Sequence, residues 1–215
     1  MVELAKWILN ADGTSVDDLR SGLEAGAEAV MGVYRPELLA ALAELRREFD
    51  FEVYPVVPNA PAYVRDLADL GMMGAAMKRL RHLPLAAWLR LAAYGLANVR
   101  GVLVQDFGTM LGVMIQMELP VFSHFRPGMV FLHAQMTDLA LAAGNAALFH
   151  TYAGLIRRGY GAVPGLATRN ARVLVPRLED WGVDVAVIDL KSKRTPGLIK
   201  DGREGSLALG RTRAR

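Results

Sequence analysis

Cysteine is absent from the 215 residues, which at once excludes disulfides, thiolate zinc sites, iron–sulfur clusters and a cysteine nucleophile. Several catalytic signatures are missing as well. There is no Gly-x-x-x-x-Gly-Lys-Ser/Thr, no His-Glu-x-x-His and no Gly-x-Ser-x-Gly. Gly159, Gly161 and Gly165 are wrongly spaced for a dinucleotide loop and precede an apolar run, so Rossmann-type NAD chemistry is not expected. The opening Met1-Val2-Glu3-Leu4-Ala5-Lys6 lacks the basic-then-apolar order of a secretory signal, and a cytoplasmic location is the expectation. What is abundant is apolar: hydrophobic residues make up 53% and charged ones 22%. That balance excludes a wholly disordered chain and supplies a sizeable core.

The net charge of +3 is unevenly placed. Residues 190–215 carry eight basic side chains against Asp201 and Glu204, a surplus of +6, which leaves −3 for the rest of the chain. This basic tail holds no Phe, Tyr or Trp. Nucleic-acid recognition needs a basic face on the fold, preferably with stacking aromatics, so specific nucleic-acid binding is not expected.

A repeated unit organises the remainder: an amphipathic stretch, a turn residue, then a short apolar run. The turns fall at Gly26, Asp50, Gly71, Gly128, Gly161 and Gly182. Short, nearly continuous apolar runs suit parallel strands covered on both faces. The pattern predicts strands near 3–10, 28–34, 51–58, 72–78, 129–136, 162–168 and 184–190. Helices are expected at about 15–25, 36–48, 60–70, 139–158 and 171–181. Ser15 followed by Asp17 and Asp18 makes a helix start with acids at the positive dipole end.

About seven such units between residues 3 and 190 resemble the (β/α)8, or TIM, barrel at the level of architecture. The expected fold is therefore an α/β barrel with a helical insertion at about 83–122 after strand four. A basic tail over 192–215 would follow a single domain of residues 1–191. Only Ser206-Leu207-Ala208-Leu209-Gly210 offers a stub for an eighth strand, so the barrel is expected to be incomplete, truncated or closed by a partner. An open doubly wound parallel sheet is the alternative, and it would place a ligand where the strand order reverses.

The insertion is Met-rich and nearly free of charge within its helices. Lys78, Arg79, Arg81 and His82 precede it, and Trp88 and Tyr94 lie inside it. It is expected to pack on the barrel, to join copies into a homo-oligomer, to form a lid, or to lie on a membrane surface.

Polar residues late in apolar strands point to chemistry, because barrel sites form at the strand C-termini. Alternation turns His133 and Gln135 inward, with Asp189 and Lys191 on the inward side of the last strand and Asn10 at the end of the first. Asn170, Arg169 and Lys78 are candidate substrate contacts, and Asp12, Asn59 and Lys78 are expected to join the rim from loops and strand ends. Lys191, as Schiff-base nucleophile or charge clamp, Asp189 and His133 form the expected catalytic set. Arg169 beside a helix start suits an anion. The substrate class this implies is a small anionic carbonyl compound, handled by a lyase or isomerase. No organic cofactor is predicted, and a divalent metal held by His133, Asp189 and Asp138 stays open. The other reading is a non-catalytic barrel-derived protein that acts through its helical hairpin.

Overall fold

A computed structural model of the chain describes residues 7–80, 83–104, 106–190 and 208–211. Its frame is a single sheet. The strands β1 (Ile8–Asn10), β2 (Ala29–Val33), β3 (Glu52–Val57), β4 (Met129–Leu132), β5 (Val163–Thr168) and β6 (Ala186–Asp189) pair in parallel. β7 (Ala208–Arg211) then adds antiparallel to β6. Strand order is strictly sequential, and the sheet curls into a half-barrel. Among the described residues nothing joins β7 back to β1. The sheet is therefore open, as in the alternative reading, and is not a closed barrel of seven units. Its sequential order nevertheless provides no point at which strand order reverses.

Alternation along the strands decides which side chains fill the hollow. Ile8, Met31, Tyr54, Val56, Phe131, Ala167 and Ile188 meet on the concave side. Their neighbours Leu9, Val30, Val53, Val130, Leu166 and Val187 pack outward against helices. The concave cluster contains one helical residue, Ala134; every other member comes from a strand or its immediate flank. Space there is tight. Tyr54 and Phe131 meet at a ring separation of 6.0 Å, and a Cβ on Gly165 would lie 2.6 Å from the Phe131 ring.

Helices α1 (Val16–Glu24) and α2 (Pro36–Leu45) follow β1 and β2. Ser15 caps α1 by accepting from the Asp18 N–H, as its sequence predicts. Between β3 and β4 the described residues are mostly helical. These comprise α3 (Ala60–Leu80), α4 (Leu85–Ala97), α5 (Val99–Leu103), α6 (Phe107–Glu118) and a 3-10 segment (Leu119–Phe125). The remaining helices are α7 (Ala134–Ala142), α8 (Ala146–Tyr160) and α9 (Ala171–Asp180). The buried Tyr152 of α8 donates its hydroxyl to the Val130 carbonyl at 2.7 Å and so pins α8 on β4.

Three expectations need correcting. The strand predicted over 72–78 is helical. Gly71, with φ 67°, does break the chain, but Met-Met-Gly-Ala-Ala-Met-Lys contains no β-branched residue and mostly good helix formers. The insertion thus follows the third strand, and β3 pairs directly with β4 through Val56–Phe131 and Val57–Leu132. The strand predicted over 129–136 ends at Leu132, because His133 caps a helix that begins at Ala134. The helix predicted over 139–158 is two helices, parted at Gly144 (φ 64°) with Asn145 capping the second.

Gly165→Ala should force Phe131 from its place and cost about 1–3 kcal/mol of stability. Urea denaturation measures this, and adding Phe131→Leu should restore part of the loss.

Candidate functional site

Two polar groupings form where the parallel strands end. The first grouping continues the inward alternation. Asp12 lies two residues beyond Asn10 of β1, His133 directly after β4 and Arg169 directly after β5. His133 keeps the phase of Phe131 and Arg169 that of Ala167, both members of the concave cluster. The fields of Asp12 and Arg169 both reach the imidazole, the first favouring its charged form and the second opposing it.

The state of His133 follows from its position as a helix cap. Its Nδ1 accepts from the Gln135 N–H at 3.2 Å, which requires that nitrogen to be unprotonated and places the neutral ring's hydrogen on Nε2. Burial is the largest influence on the ring, and it lowers the pKa from the ordinary histidine value. The positive end of α7 acts in the same direction. His133 is therefore a neutral donor near the mouth of the half-barrel.

Asp138 of α7 organises the β5 side. It takes a very short hydrogen bond from the Thr168 hydroxyl and accepts from the Arg169 N–H at 3.3 Å. Thr168 in turn accepts from the Asn170 N–H at 2.9 Å. These bonds fix the backbone from which the exposed Arg169 side chain projects. At β1, Asn10 accepts from the Asp12 N–H at 3.0 Å and shapes the loop that carries it.

The second grouping lines a cavity of about 230 Å3 on the outer side of the β2 and β3 ends. Arg35, Asn59, Arg65, Asp66, Lys78 and Glu118 face it. Arg35 donates to the Ala11 carbonyl at 2.7 Å. The buried Asn59 gives its N–H to Glu118 at 2.8 Å and its side-chain amide to the Tyr34 carbonyl at 3.1 Å. Lys78 reaches back across the Gly71 break to the buried Asp66 at 2.8 Å.

The predicted site residues are thus divided. His133, Arg169, Asn10 and Asn170 stand at strand ends, as expected. Gln135 belongs to the first turn of α7 and contributes its backbone N–H. Lys78 joins the cavity on the outer side. Asp189 takes the phase of Val187, which packs outward, while Ile188 lies in the concave cluster; the inward assignment of Asp189 is reversed. Lys191 lies outside the described residues. His133, Asp138 and Asp189 do not assemble as ligands: among the described residues no group of three or more His, Cys, Asp or Glu side chains could hold a metal ion. Arg35, Asp66 and Glu118 were missed, although a lone carboxylate at the end of the apolar 107–119 run is a visible signal for Glu118.

No protein-family model matches the chain, and no curated protein or solved structure does.

The lowered pKa of His133 has a defined consequence. In the interval below about 6.5 the unfolded chain binds a proton that the native ring resists. Native stability should therefore fall as pH drops from 7 towards 5, until pH passes the folded-state value. Denaturation across this range should show a shallower decline for His133→Asn, which retains a cap acceptor without the titration. NMR titration should place His133 below ordinary histidine.

Proposed function

We propose that the protein is a small-molecule enzyme of the isomerase or lyase class, moving a proton next to the carbonyl of an anionic substrate at the mouth of the half-barrel. The observation that carries this reading is His133, capping α7 through Nδ1 at the end of β4 and standing in the fields of the Asp12 carboxylate and the Arg169 guanidinium. A neutral imidazole donating from Nε2 can polarise a carbonyl oxygen without surrendering its proton first. The Asp12 carboxylate is the base that removes the proton from the adjacent carbon. The C–H electron pair moves into the new C=C bond, and the carbonyl oxygen carries the developing negative charge opposite His133. Return of the proton to a neighbouring carbon gives isomerisation; loss of a β-leaving group gives a lyase reaction. Arg169 binds the substrate's carboxylate or phosphate through its planar fork.

The roles expected of Asp189 and Lys191 pass in this reading to Asp12 and Arg169. Asp12 follows Asn10 two residues on, in the inward phase of Ile8, and its carboxylate accepts from the Val33 N–H at 3.4 Å, whereas Asp189 follows the outward phase.

Solvent-exchange NMR in D2O tests the assignment. A panel of short oxo acids and phosphorylated ketones should include a compound whose carbon next to the carbonyl gains deuterium only with the protein present. Asp12→Asn and His133→Asn should each slow that exchange by about 10²- to 10⁴-fold, and Arg169→Gln should act mainly through KM. Exchange with no compound, or variants that exchange like wild type, would overturn the reading.

A further inference from the structure

The helices inserted after β3 carry an apolar face that the fold does not use. On α4 the buried Ala87 and its neighbour Leu91 turn towards Tyr63, Leu83 and Met117. The opposite side presents Leu85, Leu89, Ala92, Leu96, Val99 and Leu103, at alternating steps of four and three residues through α4 and α5. This spacing puts Leu85, Leu89, Ala92 and Leu96 on one face of α4, and Val99 and Leu103 on one face of α5 beyond the break at Asn98. All are exposed, and the five larger ones keep between 54 and 78% of their surface in contact with solvent. Trp88 stands beside them, 40% exposed, with its indole N–H already given to the Leu80 carbonyl at 3.1 Å. So continuous a patch on a water-facing surface calls for an occupant.

Charge identifies which one. From Leu70 to Gln105 the sequence contains no Asp or Glu, but it contains Lys78, Arg79, Arg81, Arg90 and Arg100. Lys78 is held by Asp66 and Arg90 lies over the Tyr160 ring at 5.2 Å, and the stretch still keeps a cationic surplus. A second copy on the same face would set identical patches against each other about a two-fold axis and oppose like charges. An anionic lipid surface presents the complementary charge together with an apolar layer. Among the described residues no helix is long and apolar enough to cross a membrane, so the geometry is that of helices lying in the interface plane.

From these observations we infer that α4 and α5 dock the protein on an anionic membrane surface, with the Leu85–Leu103 stripe entering the acyl boundary and Arg100 meeting the headgroups. The probe is co-sedimentation of the full chain with vesicles of phosphatidylcholine alone or mixed with phosphatidylserine. Binding should favour the mixed vesicles and weaken as salt is raised. Leu89→Glu combined with Leu96→Glu should weaken it at least about tenfold, and Arg100→Glu should reduce it by a smaller factor. Since these positions are exposed, thermal melts should match wild type. Trp88 emission should shift to the blue with mixed vesicles, a change absent in Trp88→Phe. Absence of binding to the mixed vesicles overturns the inference, as does equal binding by the double variant. Sedimentation equilibrium showing a dimer that Leu96→Glu separates would instead assign the stripe to a second copy, and would equally overturn it.

Discussion

The hollow of a half-barrel has no helix to fill it, so the sheet must supply both the wall and the filling. Here that requirement falls on a few large residues, Met31, Tyr54, Phe131 and Ile188, and on the vacancy left for Phe131 by Gly165. The contact between ring and glycine holds β4 and β5 close on their concave side while Tyr152 grips β4 from outside. The rim depends on both, since His133 and Arg169 are the residues that directly follow these strands. Their separation is set by strand pairing and not by loop conformation, which suits the proton donor and anion-binding group of the proposed reaction.

The two polar groupings divide the work of the strand ends. Around β1, β2 and β3, Arg35, Asn59 and Glu118 satisfy backbone groups and tie the strand ends to one another and to α6. Around β4 and β5 the backbone is satisfied by Asp138 and Thr168 instead. That arrangement leaves the His133 Nε2 and the Arg169 guanidinium to face a ligand in the proposed reaction. A capping role is what reconciles the two properties of His133, since the bond that starts α7 also selects the tautomer.

Much of this frame was legible in the sequence. Turn residues and short apolar runs located all six parallel strands, with one further strand predicted over 72–78 where the chain is helical, and alternation correctly gave His133 the inward phase it shares with Phe131. It failed at β6, where the run Val185-Ala186-Val187-Ile188 is apolar on both faces and therefore contains no phase information. It failed at 72–78 because Gly71 signals that a helix ends but not what comes next. The cap at His133 was hidden for a related reason: Leu132-His133-Ala134-Gln135 reads equally well as alternation and as a strand followed by a first helical turn. The cavity was the least legible feature, because Asp66 and Lys78 meet only through a chain reversal at a single left-handed residue.

β7 gives the open sheet an asymmetry. A parallel sheet that does not close exposes two rows of unpaired amides and carbonyls, each a template for another chain. On one side, among the described residues, the row is that of β1, Ile8–Asn10. On the other, Ala208–Arg211 lies along Ala186–Asp189 and occupies the row itself. The basic end of the chain, the least fold-like part of the sequence by composition, thereby shields β6 from pairing with its own kind, and a chain ending before Ala208 would offer that edge to its neighbours.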